Sequence, residues 1–340
     1  MDRRSDADKE VTPLHRAAIV QKQPIFLTGG NGFVGGALRR RLLSEGCSLR
    51  LLSRSPPPSN LADDPREERV AGELTSGVAP EALDGVSCVV HLAALVHDMS
   101  GRVGLQDYLE VNRDGTLALA RTAVAAGVKR FVHVSSVKVN GEATAKHRPF
   151  FADDESRPSD AYGISKMEAE RGLRELARES GLEVTIIRPP LVYGCGVKAN
   201  FLRLMRAVQY GLPLPFGGAD NLRSLVALDN LTDFISLCSR HPRAAGETFL
   251  VSDGHDLSTE DLVRLIARAF GVRARLFPVP LGAARWAAAL LGKQATLDRL
   301  FGSLQVDVRK NEELLGWKPP VTPEQGVKAA VSCFVQGHGR

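Results

Sequence analysis

The stretch Ile25-Phe26-Leu27-Thr28-Gly29-Gly30-Asn31-Gly32-Phe33-Val34-Gly35 decides the fold. Its first residues form an apolar run ending in a β-branched threonine, the pattern of a short strand buried on both faces. Glycines then follow at the spacing of a strand-to-helix turn. Gly29 and Gly32 permit a tight turn and close approach of the backbone to a phosphate. Gly35 lets the next helix lie against the strand. The motif opens a helix whose free N–H groups suit a pyrophosphate, with Phe33 and Val34 counted among the cofactor-binding residues. A glycine-rich turn without a ligand is the competing reading, and the flanking strand and helix weigh against it.

Working outward, Ser48 to Ser53, Ser87 to His91, Phe131 to Ser135 and Val184 to Arg188 are further short, nearly continuous apolar runs. Helical spacing occupies Gly36 to Glu45, Val111 to Ala126 and Ser165 to Glu179 between them. Strand then helix, repeated, implies βαβ units and an α/β fold with a Rossmann-like, doubly wound parallel sheet. After Arg188-Pro189-Pro190 the alternation breaks down. A helix over about Asn200 to Tyr210 and the segment GLPLPFGG point to a smaller C-terminal substrate-binding lobe. Ser224 to Leu228 and Thr248 to Val251 read as further strands. The expected organisation is a flexible leader over 1–23, a dinucleotide-binding domain over 24–188, and a lobe over 189–336 with some segments returning to the first domain.

A chain of 340 residues with 44% hydrophobic and 24% charged residues has the composition of a soluble globular protein with a substantial core. Its net charge is +5. The basic residues are dispersed and form no aromatic-studded face, so a small anionic ligand fits better than nucleic acid. The first residues lack the apolar run of a signal peptide, and no window approaches the roughly 20 apolar residues of a membrane span. Cytoplasmic localisation without membrane insertion is expected. Cys47, Cys88, Cys195, Cys238 and Cys333 are odd in number and lack CxxC spacing. That pattern predicts neither a disulfide framework nor a metal site.

Tyr162 and Lys166 are four residues apart and share a helix face. An ordinary phenol, with a pKa of about 10, is a poor acid or base near neutrality. A nearby ammonium is expected to lower that value and make Tyr162 a usable proton carrier. Lys166 can also bond the nicotinamide ribose. Ser135 and Ser136 end an apolar strand at the sheet edge where open α/β folds bind ligands. A hydroxyl there can hold a reacting carbonyl oxygen, or merely cap a turn. The second strand ends Ser53-Arg54-Ser55, with no acid for ribose hydroxyls. Arg54 is read either as a partner of a 2′-phosphate, favouring NADP(H) with NAD(H) possible, or as a solvated loop residue.

Taken in order, TGxxGxxG, His91-Leu92-Ala93-Ala94, Val111-Asn112 with Gly115-Thr116, Ser136, YxxxK and Arg188-Pro-Pro-Leu-Val-Tyr-Gly194 resemble the extended short-chain dehydrogenase/reductase family. The resemblance covers about Pro24 to Pro320, and is to nucleotide-sugar epimerases and reductases in particular. It implies Ser136, Tyr162 and Lys166 as catalytic, Leu92, Ala93 and Ala94 as cofactor lining, and Asn112 as a cofactor-side residue supporting their geometry. It also implies a UDP-sugar substrate, with Arg223 at the diphosphate and Asn200 and Arg299 less securely placed. For Arg299 a surface salt bridge is an equal reading. Homodimerisation is common in the family.

Three departures bear on the reaction. Val137-Lys138 stands where 4,6-dehydratases have an Asp-Glu pair, which argues against a dehydratase. Ser53-Arg54 departs from the acid usual in NAD-retaining 4-epimerases. A lysine often found after HxAA in galactose epimerases is absent, with Val96-His97 in that region. Val134 to Glu142 and Ser224 to Leu231 resemble 4-keto reductases acting on UDP-2-acetamido-2,6-dideoxy-hexos-4-uloses for surface polysaccharide. That reduction is the expected activity, with a UDP-glucose/UDP-GlcNAc 4-epimerase retaining NAD as the alternative. A non-catalytic, NADP-binding regulatory protein is the remote one. Cys195 stands where relatives often have proline, and is read as a packing change.

Overall fold

The central strands are almost wholly withdrawn from solvent, as their mainly apolar residues require. In a computed structural model describing residues 23–54, 64–96, 103–279 and 301–338, β1 (Ile25–Thr28) is buried throughout. The expected leader over 1–23 lies, but for Gln23, outside the described residues. With β2 (Leu49–Ser53), β3 (Glu67–Ala71), β4 (Cys88–His91), β5 (Arg130–Val134), β6 (Glu183–Arg188) and β10 (Thr248–Leu250), β1 builds a parallel sheet in the order β10-β6-β5-β4-β1-β2-β3. The order reverses between β1 and β4, and a doubly wound sheet opens its ligand crevice at that reversal.

β3 was not anticipated from the sequence. It reads Glu-Glu-Arg-Val-Ala and forms the sheet edge beyond β2. Edge strands carry charge that disguises them.

The helices differ from expectation mainly in where they start. α1 spans Phe33–Ser44, beginning inside the glycine motif. A short α2 (Leu105–Tyr108) runs into a π-turn (Leu109–Asp114) and then α3 (Gly115–Ala125). α4 runs from Ala161 to Ser180, a turn earlier than expected. Asp160 caps it by accepting from Gly163 N at 2.7 Å, and Gly181 ends it in a left-handed conformation.

Beyond β6 the chain builds two small parallel pairs. β7 (Leu191–Tyr193) pairs with β9 (Leu225–Ala227), and β8 (Leu214–Gly217) pairs with β11 (Leu276–Pro278). α5 (Ala199–Gln209), α7 (Thr259–Phe270) and the last helix pack around them through Tyr193, Phe201, Met205, Ile266 and Val331. α6 (Leu228–Cys238) instead returns to the large sheet. Its Leu231 and Phe234 share one buried cluster with Leu38, Leu42, Phe249 and Trp317. α8 spans Arg309–Leu315, and α9 spans Pro323–His338.

One expectation fails. Cys195, in the loop after β7, is disulfide-bonded to Cys333 on α9, across 138 residues. Spacing could not show this, because two cysteines far apart in sequence meet only once both lobe elements are packed. The other three cysteines are free and buried. Among the described residues no helix is long and apolar enough to cross a membrane, and no His/Cys/Asp/Glu group could hold a metal.

Candidate active site

At the sheet reversal lies a cavity of about 770 Å³, bordered by the glycine loop, the ends of β4 and β5, and the start of α4. The loop has the backbone that a phosphate cradle needs. Gly29 has φ 71°, and a Cβ there would sit 2.8 Å from Ala93 N. A Cβ on Gly35 would lie 2.0 Å from Gly29 O. No side chain caps α1 at Gly32, so its first N–H groups face the cavity mouth. Gly35→Ala is therefore expected to cost about 1–3 kcal/mol of stability by overpacking and to abolish dinucleotide binding. Thermal melting and cofactor titration check this; full binding by the variant would contradict the cradle.

Behind Leu92, Ala93 and Ala94, all lining the cavity, runs a chain of buried hydrogen bonds. Thr28 Oγ1 accepts from Leu92 N at 3.2 Å and Ala93 N at 3.1 Å, leaving its proton for His91 Nδ1 at 2.7 Å. Thr116 Oγ1 donates to Asn112 O at 2.6 Å and so accepts from His91 Nε2 at 2.8 Å. The partners thus fix a neutral His91 tautomer, and burial pulls its pKa down to about 3.

Asn112 departs from its expected place beside the cofactor. It is fully buried on the π-turn, accepts from Leu95 N at 2.7 Å, and donates to Leu95 O and Ser165 Oγ, each at 3.0 Å. A side chain committed to these three bonds holds the HxAA segment against α4 rather than lining the cavity.

Ser136, Tyr162 and Lys166 converge at the cavity floor. Asp160's cap sets the first turn of α4 so that Tyr162 faces β5, where its phenol hydrogen-bonds the Ser136 hydroxyl. Ser136 also accepts from Lys138 N at 3.2 Å, so the capping and site roles of this serine coexist. Ser135 points elsewhere, donating to Glu170 Oε1 at 2.6 Å. Lys166 is 1% exposed and donates to Val134 O at 3.0 Å.

The expected lowering of the Tyr162 phenol is not found. Burial pushes it above the ordinary tyrosine range, Asp160 adds to this, and the Ser136 bond opposes it. Desolvation outweighs attraction here, because the Lys166 ammonium is bonded to Val134 O instead of the phenol.

Burial also holds Lys166 down to about 8, with Glu170 one turn along α4 working the other way. Lys166 is charged below that pH and neutral above it. Catalysis that needs the ammonium should decline as pH rises through about 8. A kcat/KM profile checks this, and a profile flat to about pH 10, the ordinary lysine range, would contradict it.

Glu170 belongs to a buried network that the sequence did not reveal. Arg188, at the end of β6, donates to it through Nε at 2.9 Å and Nη2 at 2.6 Å. Arg188 Nη1 reaches Asn140 Oδ1 at 3.0 Å. The ends of β5 and β6 are thereby fastened to the helix carrying Tyr162 and Lys166.

Arg54 reaches the cavity rim with its side chain 80% exposed, 3.8 Å from the Glu73 carboxylate. Glu73 itself lines the rim and was not anticipated, because it follows the unrecognised edge strand β3. Of the residues expected at the diphosphate, the two described ones, Asn200 and Arg223, are not gathered with the catalytic set. Asn200 is exposed on the first turn of α5. Arg223 is held in backbone pairing with Leu257 and Leu304 and donates to Gly302 O at 3.1 Å. Neither lines the cavity, and Arg299 lies outside the described residues.

Fold and cavity together define a dinucleotide-binding α/β protein with Ser, Tyr and Lys at its reactive end. The chain belongs to the NAD dependent epimerase/dehydratase family, whose model matches residues 25–252. A UDP-glucose 4-epimerase from Vibrio cholerae is 45% identical over 93% of this chain and 97% of that protein. A 3-beta-hydroxysteroid dehydrogenase from Mycolicibacterium neoaurum is 27% identical over 89% of each. Among solved structures, MoeE5 in complex with UDP-glucose and NAD matches with a TM-score of 0.74 at 25% identity, covering 93% of this chain and 99% of that one.

Proposed function

We propose that this chain is a cytoplasmic UDP-sugar 4-epimerase that retains NAD(H) through turnover. The observation that carries the reading is the 45% identity, over nearly the whole of both chains, to a UDP-glucose 4-epimerase. The match to a UDP-glucose- and NAD-bound structure supports the same substrate class.

The residues present fit the cofactor: the cradle at Gly29 and Gly35 leaves room only for backbone, and α1 presents uncapped N–H groups beside it. Bound there, a nicotinamide ring supplies reversible hydride acceptance at its C4. Tyr162 takes the proton of the sugar C4 hydroxyl and later returns it. Ser136 holds the same oxygen, whichever way the sugar face is turned. Lys166, one turn along α4, would have to swing from Val134 O toward the phenol to lower the cost of the phenolate. Arg223 and Asn200 are carried over as contacts of the nucleotide diphosphate, which requires them to approach it when it binds; Arg299, carried over with them, lies outside the described residues.

A second reading, 4-keto reduction of a UDP-2-acetamido-2,6-dideoxy-hexos-4-ulose with NADPH, is favoured by Arg54 at the rim and the lack of an acid after β2. Against it, Glu73 lies across from Arg54 and offsets the charge a 2′-phosphate would need. Identifying the nucleotide released from the purified, denatured protein separates the two. Co-purifying NAD is expected; a protein isolated empty that then binds NADPH far more tightly than NADH would favour the reductase.

A further inference from the structure

The Cys195–Cys333 disulfide joins two parts of the molecule with different duties. Cys333 lies on α9, which is seated by its own packing: Gly326 of that helix lies so close to β7 and β9 that a Cβ there would meet Tyr193 Oη at 2.7 Å and Ala227 Cβ at 3.0 Å. Cys195 lies in the loop between β7 and α5, just after Val192 of the cavity lining. Its next residue, Gly196, faces Phe33: a Cβ placed on Gly196 would fall 4.0 Å from the Phe33 ring. Phe33 belongs to the glycine loop, lines the cavity, and also packs against the core of the smaller lobe. Residues 194–198 therefore form the seam between α9 and the wall of the phosphate cradle, and the disulfide is a covalent tie across it.

The bond is also open to exchange. Cys195 is exposed and Cys333 half-buried, so a small thiol can reach the sulfur of Cys195. The remaining cysteines are different. Burial pushes the Cys88 thiol up to about 12 and raises those of Cys47 and Cys238, which leaves them inert. In a reducing compartment, an accessible disulfide of this kind is transient and responsive rather than structural.

We propose that Cys195–Cys333 is a thiol–disulfide exchange site whose closed state holds the 194–198 loop against the glycine loop and slows release of the bound dinucleotide. The proposal rests on the reading of the cavity as a dinucleotide site. Opening consumes a dithiol. One thiolate of the reductant attacks Cys195 Sγ, the disulfide breaks, and Cys333 leaves as the thiolate. The second thiolate of the reductant then resolves the mixed disulfide. Two electrons and two protons pass to the protein, which ends with two thiols, and the dithiol is oxidised to its own disulfide. An oxidised dithiol reverses the sequence.

The test uses the full chain loaded with NAD. Free thiols are counted after denaturation, and NAD release is followed by dilution into excess fluorescent dinucleotide analogue. Wild type is compared with Cys333→Ser and Cys195→Ser, each with and without a dithiol. The oxidised wild type should show three free thiols of its five cysteines, the other two forming the disulfide, and five after reduction. Release should quicken severalfold on reduction, and both variants should release at the reduced rate in either buffer. Equal release rates from the closed and open wild type would overturn the latch while leaving the cofactor reading intact, as would five free thiols after treatment with an oxidised dithiol. Variants whose release still responds to the dithiol would also overturn it. Failure of the wild type to bind any dinucleotide in either state would overturn the cofactor reading, and the latch with it.

Discussion

Tyr162→Phe is expected to reduce turnover by about 10²–10⁴-fold, the usual contribution of a positioned acid or base, while dinucleotide affinity changes little. Among the described residues, the phenol is the group at the cavity floor placed to take a proton from a carbinol and give it back. Lys166 is bonded to Val134 O, and the Ser136 hydroxyl has no ordinary access to an ionised state at neutral pH. The phenylalanine ring preserves the edge-on contact with Tyr108, whose centroid lies 6.2 Å away, so packing around α4 should survive. Steady-state kinetics with UDP-glucose beside a cofactor titration separates the two effects. Loss of both together would place Tyr162 in the architecture of the site instead of its chemistry.

Glu170→Gln should be the most destabilising of the polar substitutions near the site, by about 3–5 kcal/mol, because it strands Arg188 as an uncompensated buried charge. Glu170 and Arg188 have side-chain exposures of 0% and 2%. Ser135 and the partly exposed Arg174 depend on the same carboxylate, the latter at 3.1 Å. Removing both charges is a different matter: Glu170→Met combined with Arg188→Met should cost much less than the single change, since a buried pair replaced by apolar groups of similar volume is often near neutral. Denaturant midpoints for the two proteins give the comparison directly. A single variant as stable as wild type would mean the network contributes little to the fold.

The parts of the fold that could be read from sequence were those with one dominant physical cause. β1, β4, β5 and β6 are largely buried on both faces, so their apolar runs are nearly continuous. β3 is an edge strand rich in charge, its Glu67 paired with Arg39 and Arg69, and its pattern is that of a loop. The start of α4 carried a usable signal, since Asp160 is a good N-cap, but the surrounding Pro158-Ser159 reads equally well as a turn.

In the site, the glycine cradle and the Ser136, Tyr162 and Lys166 set were legible because phosphate binding and proton transfer each need particular residue types in a fixed order. The Glu170–Arg188 pair was not, since Glu four residues after Lys reads as a solvated helix pair, and only the fold brings the arginine at the end of β6 beneath it. The disulfide was illegible for the same reason. Arg54 could not be resolved from sequence in the same way: whether it meets a 2′-phosphate or only solvent depends on its neighbours across the rim, where the structure puts the Glu73 carboxylate 3.8 Å away.

The most direct test of the central claim is to incubate the purified protein with UDP-glucose, with no nicotinamide nucleotide added, and follow the sugar anomeric signals by proton NMR. Formation of UDP-galactose, approaching equilibrium from either side, is the predicted result. No interconversion, together with stoichiometric NADPH oxidation on adding a UDP-2-acetamido-2,6-dideoxy-hexos-4-ulose, would contradict it and make the protein a reductase.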